Sequence, residues 1–77
     1  MARAEKLLEK ARNNPSGLSF DDFETLLGRL GWAQRGQEGS HRLWYSPKGH
    51  RLPIQPARNG RAKRYQVKQF LDAIEEE

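Results

Sequence analysis

The chain has 77 residues, a formal net charge of +4 at pH 7, and a composition that is 35% hydrophobic and 31% charged. This length suits one small domain, and the apolar content supports a folded core rather than a disordered tail. The chain contains no cysteine, which excludes a disulfide framework and a thiolate metal site. No apolar run has the length of a signal-peptide core or a membrane span, so we predict a cytoplasmic globular protein.

The first half of the chain predicts two amphipathic helices. Residues 13–17 contain the asparagine, proline and glycine that end the first helix. Ser19 suits the N-cap of the second helix, with Asp22 three residues further on, and Gly31 suits its end in the left-handed conformation. Helical spacing is shown by Ala4, Leu7, Leu8 and Ala11 in the first helix and by Phe20, Phe23, Leu26, Leu27 and Leu30 in the second.

Three strands are predicted next, at residues 32–37, 40–46 and 50–55. Glu38 and Gly39 are predicted to form the first turn, and residues 47–49 the second. Pro53 indicates that the third strand lies at an edge of the sheet, because proline cannot donate a hydrogen bond to a neighbouring strand.

Three aromatic residues and one histidine receive predictions from their positions in or beside these strands. Trp44 and Tyr45 are adjacent in one strand, so their side chains should lie on opposite faces, one in the core and one exposed. Trp32 is predicted to join the core, since it follows a helix end. His50 follows a turn glycine and is predicted to face solvent.

A closing helix completes an α+β fold. It follows a polar loop at residues 57–62, and its apolar residues are Val67, Phe70, Leu71 and Ile74. The predicted order is α-α-β-β-β-α, a two-layer sandwich in which helices cover one face of a three-stranded antiparallel sheet. This architecture resembles a double-stranded-RNA-binding domain. We predict one domain over residues 1–77, with an additional helix and linker at 1–17 and a core at 18–77.

Basic residues are concentrated in the second half of the chain. Between Gly39 and Leu71 there is no Asp or Glu, but there are eight basic residues: Arg42, Lys48, Arg51, Arg58, Arg61, Lys63, Arg64 and Lys68. Such a stretch favours a nucleic acid or an acidic protein as partner, although a solvated basic surface is the ordinary alternative. Three of these cations stand near the amino end of the closing helix, where positive charge opposes the helix dipole. An anionic ligand would explain their position.

The tripeptide Gly39-Ser40-His41 places an imidazole at the edge of the basic stretch. RNA cleavage without a metal needs a base for the ribose 2′-OH, an acid for the leaving oxygen, and cations for the phosphorane. A free imidazole, with a pKa of about 6.5, suits either proton transfer. We predict that His41 is the general acid or base. The sequence does not identify the second proton carrier, for which Tyr65, Ser40 and water are candidates. The predicted RNA-binding residues are Gly39, Ser40, Arg42, Arg61, Lys63, Arg64 and Lys68.

Each of these predictions has a structural alternative. His41 would then be a strand-edge histidine bonded to nearby backbone, Gly39 only a turn residue, and Ser40 only a cap for the strand. The two histidines of the chain are nine residues apart with no cysteine nearby, which is not a recognisable metal site. No metal or small-molecule cofactor is therefore expected.

Several segments together resemble the HicA family of toxin ribonucleases over about residues 18–74. They are Gly31-Trp32, Gly39-Ser40-His41, the aromatic strand, the glycine-containing hairpin and Ala-Lys-Arg-Tyr-Gln-Val-Lys-Gln at 62–69. The resemblance implies a small toxin that cleaves messenger RNA, is held inactive by a HicB antitoxin, and uses His41 as the family histidine. The chain departs from many members in Gln55-Pro56, where a histidine often occurs, and in its additional first helix. Two other functions stay open, a non-catalytic RNA-binding module and a basic adaptor for an acidic protein.

Overall fold

The computed structural model describes the backbone of residues 2–76 and the side chains of residues 4–76. This part of the chain has the predicted order α-α-β-β-β-α and is an α+β fold, which confirms the predicted class. Its elements are α1 (Ala2–Asn13), a 3₁₀ turn (Pro15–Gly17), α2 (Phe20–Arg29), β1 (Ala33–Glu38), β2 (His41–Tyr45), β3 (Arg51–Ile54) and α3 (Arg64–Glu76). Within residues 2–76, no helix is both long and apolar enough to cross a membrane.

The two ends of α2 are formed as the sequence predicts. At its start, the Ser19 hydroxyl accepts a hydrogen bond of 3.0 Å from the backbone N–H of Asp22, and thereby satisfies one donor of the first turn. At its end, Gly31 has a φ of 90°, a conformation that glycine adopts without steric cost. The chain then turns so that Trp32 leads directly into β1.

The strands form one antiparallel sheet in the order β1-β2-β3. Strand β3 with its Pro53 therefore lies at an edge, as predicted. The first turn is shifted by one residue from the prediction, because Glu38 still pairs with His41 across the sheet and Gly39 and Ser40 form the turn. Gly39 has a φ of 61°, and glycine is the residue that fits this conformation in a two-residue hairpin turn.

The helices pack on one face of the sheet around a continuous apolar core. Phe70 of α3 is at its centre, with ring centroids 5.7 Å from Phe23 and 5.6 Å from Trp32 in edge-to-face arrangements. The predicted core position of Trp32 is thus confirmed. Helix α1 contributes Leu7 and Ala11 to the same cluster, so the additional first helix packs directly against the core.

The strand register determines which side chains of β2 face the helices. Trp44 packs against the core and donates through Nε1 to Glu24 of α2 at 3.3 Å. Because successive side chains of a strand alternate, His41, Leu43 and Tyr45 lie on the opposite face, here called the open face. The prediction that Trp44 and Tyr45 point to opposite faces is therefore correct, but Tyr45 is half-buried rather than exposed.

Candidate functional site

His41 is the first residue of β2 and lies on the open face of the sheet. Its side chain is half-buried, and it forms no hydrogen bond or ion pair with another residue in the described part of the chain. The alternative of a histidine bonded to nearby backbone is therefore not what the structure shows. Its ring nitrogens therefore have no protein partner among the described residues.

The turn before His41 holds the two small residues of the Gly-Ser-His tripeptide. Both Gly39 and Ser40 are exposed, and an added Cβ at Gly39 would meet no heavy atom within 4 Å. The positive φ of Gly39 already accounts for glycine at this position. The space around it also leaves the turn backbone open to the approach of an anion.

Arg42 follows His41 but faces the opposite way, towards α2. Its Nη1 atom lies 2.6 Å from Oε1 of Glu24, and its guanidinium lies over the Phe20 ring at 5.4 Å from the centroid. The charge of Arg42 is thus already paired on the helix-covered face. This placement argues against the predicted phosphate contact of Arg42 and assigns it to the packing between β2 and α2.

Glu24 is a residue of this region that the sequence analysis missed. One oxygen of its carboxylate accepts from Arg42 and the other from the Trp44 indole, so it joins α2 to two positions of the central strand. The sequence feature that could have indicated this role is an acidic residue placed between two apolar core residues, Phe23 and Leu26. An acid beside an apolar helix face often needs a partner, because an unpaired charge is costly to bury.

The loop between β3 and α3 is held in place by hydrogen bonds to residues before and at the start of α2. The backbone N–H of Phe20 donates to Gly60 O at 3.1 Å, and that of Ala62 donates to Leu18 O at 2.8 Å. Nη1 of Arg61 also donates to Gly17 O at 2.9 Å. Arg61 is exposed, and the remaining N–H groups of its guanidinium can reach a ligand.

Three more predicted cations lie at the start of α3. Arg64 and Lys68 are exposed and Lys63 is half-buried, and none of them forms an ion pair with a described carboxylate. The first turn of α3 contains no acidic residue to balance them. They form an uncompensated positive surface, which we call the basic end of α3 and define as Lys63, Arg64 and Lys68.

Strand pairing and one side-chain hydrogen bond bring this basic end of α3 to the same end of the sheet as His41. The residue after His41, Arg42, is paired with Ile54 at the end of β3. The next residue, Gln55, donates its backbone N–H to Oε1 of the buried Gln66 in α3 at 3.1 Å. The start of β2, the end of β3 and the first turn of α3 therefore meet.

Gln66 and Glu38 are two further residues that the sequence analysis missed. Gln66 is buried on the apolar face of α3, one residue before Val67. The only sequence feature that could have indicated its role is a polar residue at such a position. Glu38 pairs with His41 across β1 and β2 and so shares the open face with it. Its carboxylate lies 3.5 Å from Nη2 of Arg51, an ion pair that joins the two outer strands across β2.

The opposite end of the sheet contains the second histidine. His50 was predicted to face solvent, but its side chain is only partly exposed and Nε2 lies 3.3 Å from Oε1 of Glu76 in α3. Beside this pair is a groove of about 330 Å³ between β3 and α3, lined in part by Trp32, Leu52 and Asp72. Among the described residues, no group of three or more His, Asp or Glu is arranged to hold a metal ion.

A comparison with protein families finds a match over most of this chain. A family model described as the HicA toxin of bacterial toxin-antitoxin systems matches residues 20–75, which leaves α1 outside the matched part. Neither the search of curated proteins nor the search of solved structures found a match.

Proposed function

Because the chain belongs to the HicA toxin family, we propose that it is the toxin of a toxin-antitoxin pair and that it cleaves messenger RNA without a metal ion. In this proposal a HicB-like antitoxin binds the toxin and suppresses its activity. The family membership supports the toxin role and a general nuclease role. The catalytic assignment rests on the chemistry of the residues around His41.

The observation that carries the catalytic assignment is the position of His41. Its ring has no partner among the described residues and stands at the sheet end where α3 begins. In metal-free cleavage the ribose 2′ oxygen attacks the adjacent phosphorus as its proton is removed, and the 5′ oxygen leaves with a proton. We assign one of these two proton transfers to His41. The products would be a 2′,3′-cyclic phosphate and a free 5′-OH.

The proposed RNA-binding surface comprises the turn before His41, Arg61 and the basic end of α3, which lie at the same end of the molecule. Arg61 and the basic end of α3 supply cations for the phosphate charge, which increases as the phosphorane forms. Gly39 and Ser40 supply turn backbone and a hydroxyl next to the imidazole. Arg42 is omitted from this surface, since Glu24 already pairs with its guanidinium.

The test compares the two histidines of the chain. Purified His41→Ala should lose RNA cleavage by roughly 10²- to 10⁴-fold, the usual contribution of a general acid or base. His50→Ala is the matched control, because it removes an imidazole from the opposite end of the sheet and should retain cleavage. Circular dichroism and Tm would show that both variants are folded. Cleavage by His41→Ala at the wild-type rate would contradict the assignment.

A second candidate function is an RNA-binding module that does not cut. It is favoured by the presence of one imidazole, rather than two, at the basic end of the sheet. This function predicts that RNA stays intact after long incubation with the wild-type protein. It also predicts that the logarithm of affinity falls linearly with the logarithm of salt concentration.

A further inference from the structure

Tyr65 has an unusual environment for an aromatic residue in this protein. It is 57% exposed and is the one large hydrophobic side chain that is exposed in the described part of the chain. It lies in the first turn of α3, next to Arg64 and three residues before Lys68. Residues three or four apart on a helix are neighbours on its surface, so Lys68 lies beside the Tyr65 ring and Arg64 lies one turn before Lys68. Neither cation forms an ion pair with a described carboxylate.

The hydroxyl of Tyr65 is held while its ring stays accessible. Nε2 of Gln66 donates to this hydroxyl at 3.4 Å, and the same amide accepts the backbone N–H of Gln55 through Oε1. Gln66 is only 2% exposed, so the amide is fixed within the protein. These contacts attach Tyr65 to the end of β3, beside the strand that begins at His41.

We propose that the Tyr65 ring is a stacking platform for an unpaired base of the RNA substrate, with Arg64 and Lys68 on the neighbouring phosphates. This inference rests on the proposed function and adds a binding residue to it. An aromatic ring between cations is the arrangement by which proteins bind single strands, since every base has a face that can stack. Bases inside a duplex are already stacked, so this site would select single-stranded RNA.

An acidic protein partner is the competing ligand for this surface. The two cations that border the ring would suit an acidic peptide as well as a phosphate chain. The exposed ring favours RNA, because a flat aromatic face next to positive charge matches the alternation of bases and phosphates along a strand. The experiment below separates the two ligands, since it requires a base to be present.

The experiment measures binding of a single-stranded RNA oligonucleotide in the His41→Ala background, where cleavage does not interfere. Tyr65→Ala should weaken binding roughly 5- to 150-fold, the range for loss of one stacked base. Tyr65→Phe should bind within about twofold of its parent, because the ring is kept. Gln69→Ala, an exposed polar change one turn later in α3, is the matched control and should also leave affinity unchanged.

An oligonucleotide with abasic positions identifies the contact. With the bases removed, Tyr65→Ala and its parent should bind equally, because the phosphate contacts remain. The proposal is overturned if Tyr65→Ala binds the intact oligonucleotide as well as Gln69→Ala does. It is also overturned if Tyr65→Phe loses as much affinity as Tyr65→Ala, which would assign the contact to the hydroxyl.

The same measurements distinguish failure of this inference from failure of the proposed function. If wild-type protein does not cleave RNA but Tyr65→Ala weakens base-dependent binding, the stacking platform stands and the nuclease assignment fails. If wild-type protein cleaves and Tyr65→Ala binds normally, only the stacking platform fails. If the parent does not bind RNA, both fail together.

Discussion

The two ends of the sheet each carry one histidine, and the two histidines differ in whether their side chains have a partner. His41 has no partner among the described residues and lies where the basic end of α3 begins. His50 is next to the carboxylate of Glu76, in a groove that also contains Asp72. The same side chain therefore has no protein partner among the described residues at one end of the sheet and is paired at the other.

Helix α3 produces this difference, because it runs from one end of the sheet to the other with its charges segregated. Its cations are at the amino end, and its acids are at the carboxyl end; its first turn has no acid and its last turn has no base. The helix dipole favours the reverse arrangement. The observed polarity thus reduces helix stability and places positive charge at the same end of the sheet as His41. The proposed anionic substrate would explain this arrangement.

The largest expected effect comes from reversing charge at the His41 end. The double variant Lys63→Glu/Arg64→Glu should weaken single-stranded RNA binding roughly 100-fold, because charged contacts are lost and repulsion is introduced. If both residues contact phosphate, the slope of log affinity against log salt should decrease by about 1.4. Binding is measured by titration at several salt concentrations.

Lys48→Glu is the control for this experiment, since it reverses a charge in the turn at the His50 end. It should change RNA affinity only slightly and leave the salt slope nearly unchanged. Equal losses of RNA affinity in Lys48→Glu and in the double variant would mean that RNA binding depends on the total charge of the protein and not on where the charge lies. The two ends of the sheet would then not differ in function.

The next effect concerns Glu24, which joins α2 to the central strand on the face opposite His41. Its side chain is only 17% exposed, so Glu24→Ala should reduce the free energy of unfolding by about 2 kcal/mol through loss of charged hydrogen bonds. Glu24→Gln keeps an acceptor and should lose less. Urea denaturation measures both.

RNA affinity of the Glu24 variants tests the role of Arg42. We expect the RNA affinity of the Glu24 variants to stay within about twofold of wild type, because Arg42 faces the helices and not the proposed RNA surface. If Arg42 contacted a phosphate, a change in that contact would alter the affinity by more than about twofold. A large change in affinity upon Glu24→Ala would show that Arg42 affects RNA binding once it no longer pairs with Glu24. Arg42 would then return to the set of RNA-binding residues.

The fold was predictable because its signals are local. Apolar residues at helical spacing marked all three helices, Ser19 and Gly31 marked the limits of α2, and Pro53 marked the edge strand. The strand bounds differ from the prediction by one residue at several ends. Pairing between strands decides where a strand ends, and a single strand segment does not contain that information.

The site was predictable only in part, because it depends on which residues meet in space. His41 and the cations of α3 were predicted from their residue types and lie at one end of the sheet, whereas Arg42, predicted for the same surface, pairs with Glu24 on the helix-covered face. Alternation along a strand places adjacent side chains on opposite faces, and applying that rule to His41 would have excluded Arg42. The partner of Arg42, Glu24, is 18 residues away in the chain, and no local pattern connects them.

Gly39 gives a smaller effect and separates its two interpretations. Gly39→Ala should lower the free energy of unfolding by about 1 kcal/mol, because alanine disfavours the positive φ. Gly39→Asn should lose less, since asparagine tolerates this conformation. If backbone at Gly39 meets a phosphate, the asparagine side chain obstructs that approach and RNA affinity falls several-fold. Unchanged affinity in a stable Gly39→Asn protein would leave Gly39 as a turn residue alone.

The smallest effect tests whether the charge polarity of α3 has a cost. Glu75→Lys places a cation at the carboxyl end of the helix, where it interacts favourably with the dipole and with Asp72 three residues before it. It should raise the free energy of unfolding by about 0.5 kcal/mol at low salt, and Glu75→Gln by about half as much. The gain should shrink in high salt, because exposed charges are screened. If stability does not change, the acidic residue at the carboxyl end of α3 has no measurable cost from the helix dipole.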